Sequence, residues 1–290
     1  MTAYAIHISD LHIGAHVAGG GVLPLAPGGV IPRATGHDMC ALEALDNFLI
    51  TVHAQHPKDD KGWVVIGDVS SNGATSELAL YKTLLSLGFV RDHALTFRPL
   101  SRDFRAVVEL PGNHDFWAGY WVPNPVLNAQ LRATFFGPLP TSTEMAFGRH
   151  RVVFHSLCST SGCTWLEQFF AFGAFLPADV AATQQAIASY NAKARANGTS
   201  LHHLLVLHHS TVDRSPHSHR LTAQAQADLL ALANAGVEGV LTGHRHTWLL
   251  DQRTGPRPET RCGTTLQAPI PLTTQQRSLI VHEFDEEKGQ

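Results

Sequence analysis

The chain has few cysteines, no long apolar run and no excess of charge of either sign. Four cysteines occur in 290 residues, with neither a Cys-x-x-Cys pair nor a dense disulfide spacing. This usage excludes a fold held by disulfides and predicts small buried thiols in a reducing compartment, the cytoplasm. The 21 basic and 24 acidic residues give a net charge of −3, so bulk nucleic acid is not an expected partner.

The most apolar window, Phe169–Leu176, is about half as long as a membrane-spanning helix. We therefore expect no transmembrane segment, and the first residues show no export signal. The window is interpreted as core or as a hydrophobic cover over a site. A patch that touches a partner or a membrane is the alternative.

Length and composition predict a single domain over residues 1–284, because 290 residues with 44% hydrophobic content can bury a full core. Residues 14–36, rich in Gly, Pro and Ala, are predicted to be an inserted loop. Residues 116–140 are predicted to be a variable loop with a short helix. The charged end, 285–290, is expected to fray.

Apolar periodicity predicts a β-α-β-α-β run in the first half of the chain. Its elements are Tyr4–Ser9, a helix from Met39 to Val52, Trp63–Ile66, Ser76–Leu87 and Ala106–Leu110. The second half repeats the alternation, with these predicted elements: strand Arg151–His155, helix Ala178–Ala196, strand His203–Leu207, helix Leu221–Ala235, strand Gly239–Thr242, and closing strands Thr264–Gln267 and Ser278–Phe284.

Five polar turns directly follow apolar runs of this kind. They are Asp10-Leu11-His12, Gly67-Asp68, Gly112-Asn113-His114-Asp115, His208-His209 and Gly243-His244-Arg245-His246. Runs that are apolar throughout are typical of strands buried on both faces. Ligands in open α/β sheets bind beyond the carboxyl ends of such strands, so the five turns are expected to meet at one edge.

Histidine pairs alone carry little weight in this chain. With 19 histidines, about one His-x-His is expected by chance, and the sequence has two, at His217/His219 and His244/His246. The hexapeptide from Leu110 to Asp115, Leu-Pro-Gly-Asn-His-Asp, is far more specific.

With these motifs the chain resembles the calcineurin-like metallophosphoesterases, whose pattern is Asp-x-His, Gly-Asp, Gly-Asn-His-(Asp/Glu), a later His and Gly-His-x-His. All five blocks occur in that order between residues 10 and 246. The resemblance implies an α/β (α+β) fold, a two-layer mixed β-sandwich flanked by helices. In motif style the chain is most similar to the cyclic-nucleotide phosphodiesterase branch.

The resemblance also implies a centre of two divalent metal ions. Ligands of the first would be Asp10, His12 and His246, ligands of the second would be Asn113, His208 and His244, and Asp68 would bridge the two. Carboxylate, imidazole and amide donors suit Mn, Fe or Zn. Two such ions would lower the pKa of a bridging water, and the resulting hydroxide would attack the phosphorus.

By the same resemblance, His114 would protonate the leaving oxygen or stabilise the phosphoryl group, and Asp115 is expected to orient its ring. One departure is Ser71, which stands where many family members have an acid three residues after the bridging aspartate. His209 is interpreted either as a substrate contact or as a packing residue. His217 and His219 are predicted to lie in a solvated loop, with phosphate or base contact as the alternative.

These observations predict a dinuclear-metal phosphoesterase that hydrolyses a small phosphodiester, for which a cyclic nucleotide is one option. A phosphomonoesterase or nucleotidase is the alternative with the same chemistry. A catalytically silent scaffold or regulatory module is the alternative of a different class, and it predicts lost ligands, whereas none of the seven is missing.

Overall fold

The structure is a computed structural model. It describes residues 2–13, 22–24, 30–32, 39–86, 89–91, 95–97, 104–117, 132–212, 219–251, 255–265 and 276–287. Most of the predicted inserted loop, 14–36, and of the variable region, 116–140, lies outside these ranges. The described parts of those regions include β2 (Val22–Pro24) and β3 (Val30–Pro32), which pair as a hairpin, and one π-helical turn, Arg132–Phe136.

The first of two large sheets has four strands in the order β14-β1-β4-β7. They are β1 (Thr2–Ser9), β4 (Asp60–Ile66), β7 (Arg105–Leu110) and β14 (Ile280–Asp285). β1, β4 and β7 run parallel, and β14 runs antiparallel to β1. The carboxyl ends of β1, β4 and β7 therefore share one edge. A separate hairpin joins β5 (Phe89–Arg91) to β6 (Leu95–Phe97).

The second sheet has six strands in the order β12-β13-β11-β10-β9-β8. They are β8 (Thr141–Phe147), β9 (His150–Ser156), β10 (Ser200–Val206), β11 (Val237–Thr242), β12 (Leu249–Asp251) and β13 (Glu259–Arg261). β9, β10, β11 and β13 are parallel, and β8 and β12 are antiparallel edge strands. Both sheets are thus mixed.

The sheets pack face to face, and helices cover their outer faces. The helices are α1 (Met39–Gln55), α2 (Thr75–Ser86), α3 (Trp165–Phe169), α4 (Pro177–Asn197) and α5 (Ala223–Ala235). Alternation along β1 shows the layering: Ala3 and Ala5 belong to the core between the sheets, whereas Ile6 and Ile8 pack under α1 and α2. A third core lies between the second sheet and helices α4 and α5. The expected two-layer sandwich flanked by helices is confirmed.

The predicted elements agree with the structure wherever an apolar run is long. β8, β12 and β13 were not expected, because a three-residue strand or a polar edge strand shows neither apolar run nor clear alternation. The predicted strand Thr264–Gln267 is not found in its described part: Thr264 makes one isolated bridge to Arg277, and β13 lies just before it. Residues 266 and 267 lie outside the described ranges.

Within the described residues, no helix combines the length and apolar character needed to cross a bilayer. Cys158 and Cys262 are buried free thiols, and burial raises the pKa of Cys262 to about 12. That matches the prediction of buried small hydrophobic groups for these two cysteines.

A chain of polar side chains, with two buried histidines at its centre, crosses part of the second sheet. Nε2 of His155 lies 2.9 Å from Nδ1 of His203, and the chain continues to Ser142 on one side and Asn191 on the other. Because the Asn191 oxygen can only accept, both rings fit as neutral donor–acceptor links. Burial, and then the neighbouring His203, lower the pKa of His155 to about 3.

Acid is therefore expected to destabilise the fold through this pair. The folded-state pKa of His155 lies below its ordinary value of 6.5, so the unfolded chain binds more protons and stability falls as pH drops from about 6.5 toward about 3. The loss should be about 2 kcal/mol at pH 5. In His155→Gln, which keeps one donor and one acceptor, denaturant unfolding at pH 8 and pH 5 should show a smaller difference. An equal difference in both proteins would contradict this assignment.

Candidate metal centre

Five strand ends bring the polar turns together. In the first sheet, β1, β4 and β7 lead into Asp10, Asp68 and Asn113, and in the second sheet β10 and β11 lead into His208 and His244. Backbone hydrogen bonds continue past the strands: His12 N donates to the Asp68 carbonyl (2.9 Å), and Gly243 N donates to the His208 carbonyl (3.0 Å). The turns are therefore held in register with their sheets.

The first donor group consists of Asp10, His12 and His246, whose facing atoms all lie within 4.8 Å of one another. Nε2 of His246 is 3.2 Å from Oδ1 of Asp10 and 3.4 Å from Nε2 of His12. His12 is fully buried, whereas the His246 side chain is 21% exposed. This group therefore opens to the surface on the His246 side.

The second donor group consists of Asp68, His208 and His244, again within 4.8 Å. Nε2 of His208 lies 3.3 Å from Oδ2 of Asp68 and 3.2 Å from Nδ1 of His244. Oδ1 of Asn113 is 3.2 Å from the same His208 nitrogen, so the amide oxygen adjoins this group.

The Asp10 carboxylate joins the two sheets. Its Oδ2 accepts hydrogen bonds from the Ser9 hydroxyl (2.5 Å) and from the backbone N–H of His244 (3.0 Å). Its buried Oδ1 accepts no well-formed hydrogen bond from the described residues and faces the ring nitrogens of His12 and His246. A buried carboxylate oxygen left in this way is suited to a cation.

The backbone at these turns is unusual. Five residues of the two donor groups have positive φ angles, and they are Asp10 (53°), His12 (47°), Asp68 (49°), His244 (71°) and His246 (53°). The left-handed region costs a non-glycine residue roughly 1–2 kcal/mol, and such costs concentrate at functional sites. The fold therefore spends stability to aim these side chains inward.

Two glycines of the motifs allow the close approach of neighbouring turns. A Cβ on Gly67, whose φ is +67°, would lie 2.5 Å from Nδ1 of His208. A Cβ on Gly112 would overlap the Asp68 carboxylate. Glycine is required at both positions because the space belongs to a side chain of the site.

Electrostatics prepares these groups to bind cations. Burial, reinforced by His114, lowers the pKa of His12 to about 3, and burial also lowers that of His244, so both rings are neutral. Burial disfavours an ionised Asp68, but His208, His114 and His12 together outweigh it and lower the pKa of Asp68. Neutral imidazoles and ionised carboxylates are the forms that bind metals. Burial disfavours a charged His208, but Asp68 raises its pKa to about 9, so a cation at this group would displace the proton of His208.

The residues therefore fit a pair of divalent ions on three independent grounds. The donors are carboxylate oxygens, imidazole nitrogens and an amide oxygen, all convergent. Oδ1 of Asp10 is buried and accepts no well-formed hydrogen bond from the described residues. The local electrostatics favours an ionised Asp68 and neutral His12 and His244.

His114 lies beside the second group without being one of its donors. Its backbone N–H donates to Oδ1 of Asp68 (2.9 Å), and its ring stacks on Trp117 with 4.4 Å between ring centroids. Nδ1 of His114 is 2.8 Å from the backbone carbonyl of Ser71, so Nδ1 carries the proton. Nε2 is left to exchange a proton or to hydrogen-bond.

The expectation that Asp115 orients the His114 ring is corrected by this geometry. The Asp115 carboxylate accepts hydrogen bonds from the backbone N–H groups of Val69, Ser70 and Gly112 and from the Ser70 hydroxyl. It therefore holds the Asp68 turn against the Asn113 turn. The Ser71 carbonyl takes the orienting role, so the serine in place of an acid leaves His114 with a partner.

The remaining candidate histidines, His209 and His219, occupy different positions around the site. His209 is fully buried, and its Nδ1 is 2.8 Å from the Ser159 hydroxyl, so it packs beneath the site and offers no surface to a substrate. His219 is partly buried, and its ring lies 5.3 Å from that of His244, so it adjoins the second donor group. His217 lies outside the described ranges.

The phenylalanine-rich window, Phe169–Leu176, is partly buried and partly exposed. Phe175 is buried, whereas Phe169 and Phe170 are about half exposed and lie next to Trp165 on α3. The Phe170 carbonyl accepts a hydrogen bond from the His219 backbone (3.2 Å), so this surface adjoins the site.

Sequence reasoning missed Trp117 and Ser71 as neighbours of His114, since no motif marks either of them.

The chain is similar to one protein family and to two solved structures. The family model described as calcineurin-like phosphoesterase matches residues 4–248. A dimetal phosphatase from Danio rerio has a similar fold, with a TM-score of 0.57 at 14% identity over 98% of this chain and 93% of that one. GAP50, the anchor in the inner membrane complex of Plasmodium, matches with a TM-score of 0.47 at 11% identity over 98% and 81%. No curated protein matches.

Proposed function

Because this chain belongs to the calcineurin-like phosphoesterase family, we propose that it hydrolyses a small phosphodiester, such as a cyclic nucleotide, at a centre of two divalent metal ions. Family and fold make it a metal-dependent phosphoric ester hydrolase. The observation that carries the proposal is the convergence of seven donor residues from five strand ends into two adjacent groups.

The first cation would be held by Asp10, His12 and His246. The second would be held by Asn113, His208 and His244, with Asp68 shared between the two. When bound, two divalent cations neutralise phosphoryl oxygens and make water acidic enough to act near neutral pH. Mn, Fe and Zn all suit this donor set.

His114 would act on the leaving group. Its Nδ1 donates to the Ser71 carbonyl, which keeps Nε2 directed away from that contact. Stacking on Trp117 and an edge contact with His12 hold the plane of the ring. A histidine held in this way can donate a proton to a leaving oxygen.

The charges around the two groups favour a diester over a monoester. The donors themselves are histidine, aspartate and asparagine, so neither group contains a lysine or an arginine. A diester carries one negative charge whereas a monoester carries nearly two, so the diester needs less positive charge from the protein. A net charge of −3 further disfavours long nucleic acids.

Hydrolysis of a bis-aryl phosphate and of a mono-aryl phosphate should separate the two substrate classes. With Mn, Fe or Zn supplied, we expect a higher kcat/KM for the bis-aryl ester, and cyclic nucleotides should compete with it. Elemental analysis of the purified protein should show two equivalents of metal. A preference for the monoester would favour the phosphomonoesterase or nucleotidase, and a chain without bound metal or hydrolysis would be a silent scaffold.

A further inference from the structure

Glu259 is a fully buried carboxylate that belongs to neither donor group. It lies on β13, which pairs in parallel with β11, the strand that leads into His244. A carboxylate is kept inside a protein only where other groups compensate it. The residues that donate hydrogen bonds to Glu259 lie on the His208 turn and at the end of the strand that leads into His244.

Both oxygens of Glu259 are saturated. Oε1 accepts from the hydroxyls of Ser210 (2.7 Å) and Thr242 (2.8 Å). Oε2 accepts from the backbone N–H (2.7 Å) and the hydroxyl (2.5 Å) of Thr211. Four donors fill the acceptor positions of one carboxylate, which a neutral side chain could not do.

The hydrogen-bond donors to Glu259 lie close in sequence to two proposed metal ligands. Ser210 and Thr211 directly follow His208-His209, and Thr242 stands two residues before His244. One carboxylate therefore joins the turn after β10 to the end of β11. These side-chain bonds add to the backbone bond from Gly243 N to the His208 carbonyl.

Arg261 connects Glu259 to the segment that carries a third proposed metal ligand, His246. It lies two residues after Glu259 on β13, so both side chains leave the same face of the strand. Its Nη1 donates to the Ser210 hydroxyl (3.0 Å) and is 4.0 Å from Oε1 of Glu259. Its Nε donates to the backbone carbonyl of Thr247 (2.9 Å), the residue after His246.

We propose that Glu259, paired with Arg261, is a positioning residue that holds His208, His244 and His246 in the arrangement needed to bind two cations. The inference rests on the proposed function, because it takes these histidines as metal ligands. Groups behind metal ligands typically change metal affinity 10–100-fold when they are removed.

Cobalt binding to the full chain tests the proposal without using catalysis. Apo-protein is titrated with Co²⁺, and its visible absorption bands report the geometry of the ligands. Glu259→Gln keeps the shape but turns one oxygen into a donor that faces hydrogen-bond donors. We expect this variant to bind Co²⁺ about 10–100-fold more weakly, with altered bands.

Ile187→Ala is the matched control for lost stability. Ile187 lies on α4 and is buried in the core between this helix and the second sheet. It is near Gly236, the residue before β11, and thus at the opposite end of that strand from His244. This variant should lower the melting temperature but leave cobalt affinity and the absorption bands unchanged. If Glu259→Gln does not fold, Thr242→Val removes one of the four bonds and should weaken cobalt binding several-fold.

The outcomes are distinguishable. Wild-type affinity and bands in Glu259→Gln, or in Thr242→Val where that variant replaces it, would overturn the positioning role. An equal loss of affinity in Ile187→Ala would also overturn it, since the effect would then follow from stability alone. If the wild-type protein binds no Co²⁺, the proposed function fails, and this inference fails with it.

Discussion

Asp68→Ala should lose both metal ions and lower kcat/KM by at least about 10³-fold, because cations that neutralise phosphoryl charge contribute several kcal/mol to catalysis. Asp68 is expected to have this effect because the two cations would share its carboxylate. Its Oδ2 is 3.3 Å from His208 Nε2, and its Oδ1 accepts the His114 backbone N–H. Elemental analysis of the variant, together with phosphodiester hydrolysis, measures both losses.

Asp60→Ala is the matched control. It makes the same substitution at the first residue of β4, whereas Asp68 follows the end of that strand. Asp60 pairs with Arg105 at the surface (2.8 Å), where an ion pair contributes about 0–1 kcal/mol. Metal content and hydrolysis should be unchanged in this variant. If Asp68→Ala also retained them, the proposed centre would be wrong.

His114→Gln should lower kcat by about 10²–10⁴-fold for a diester with a poor leaving group, the usual contribution of general acid–base catalysis. Metal content should stay at the wild-type level, because the backbone N–H of residue 114, not its ring, contacts Asp68. The loss should shrink for a nitrophenyl ester, whose leaving group departs without a proton. Rates over a series of leaving groups measure this difference.

Ser71→Ala serves as the control for His114. The ring is held by the backbone carbonyl of Ser71, which the substitution keeps, while the Ser71 hydroxyl donates to the His12 carbonyl instead. We expect the dependence on leaving group to match the wild type in this variant. A loss of the same size for every leaving group in His114→Gln would show that the ring has no role in proton transfer.

The donor residues could be predicted from the sequence because their signal is local. An apolar run followed by Gly-Asp or Gly-Asn-His-Asp predicts both a strand and the polar residues that follow its carboxyl end. The short strand β13 carries no such signal, since Glu259, Thr260 and Arg261 are polar and unremarkable in sequence. Its part in the site follows from its pairing with β11, a contact between segments about 20 residues apart.

The sequence also could not show which group orients the His114 ring. Asp115, next to His114, was the natural partner for its ring, yet the short 3₁₀ turn at His114–Phe116 directs the carboxylate toward the Asp68 turn. The carbonyl of Ser71, 43 residues away, meets the ring instead. Adjacency along a chain does not determine where two side chains point, because backbone dihedral angles intervene.

Hydrophobic periodicity in the sequence determined the order of the principal strands and helices, because it is a local property. The five motifs carried the family resemblance, and that resemblance implied the fold class and the metal donors. Only the tertiary structure decided that the two sheets bring donor residues into two groups, in each of which the ligand atoms lie within 4.8 Å of one another. It also decided that five of these residues adopt left-handed backbone angles and that Glu259 joins the His208 turn to the end of β11. Those features arise from contacts between distant segments, where packing and burial outweigh local preference.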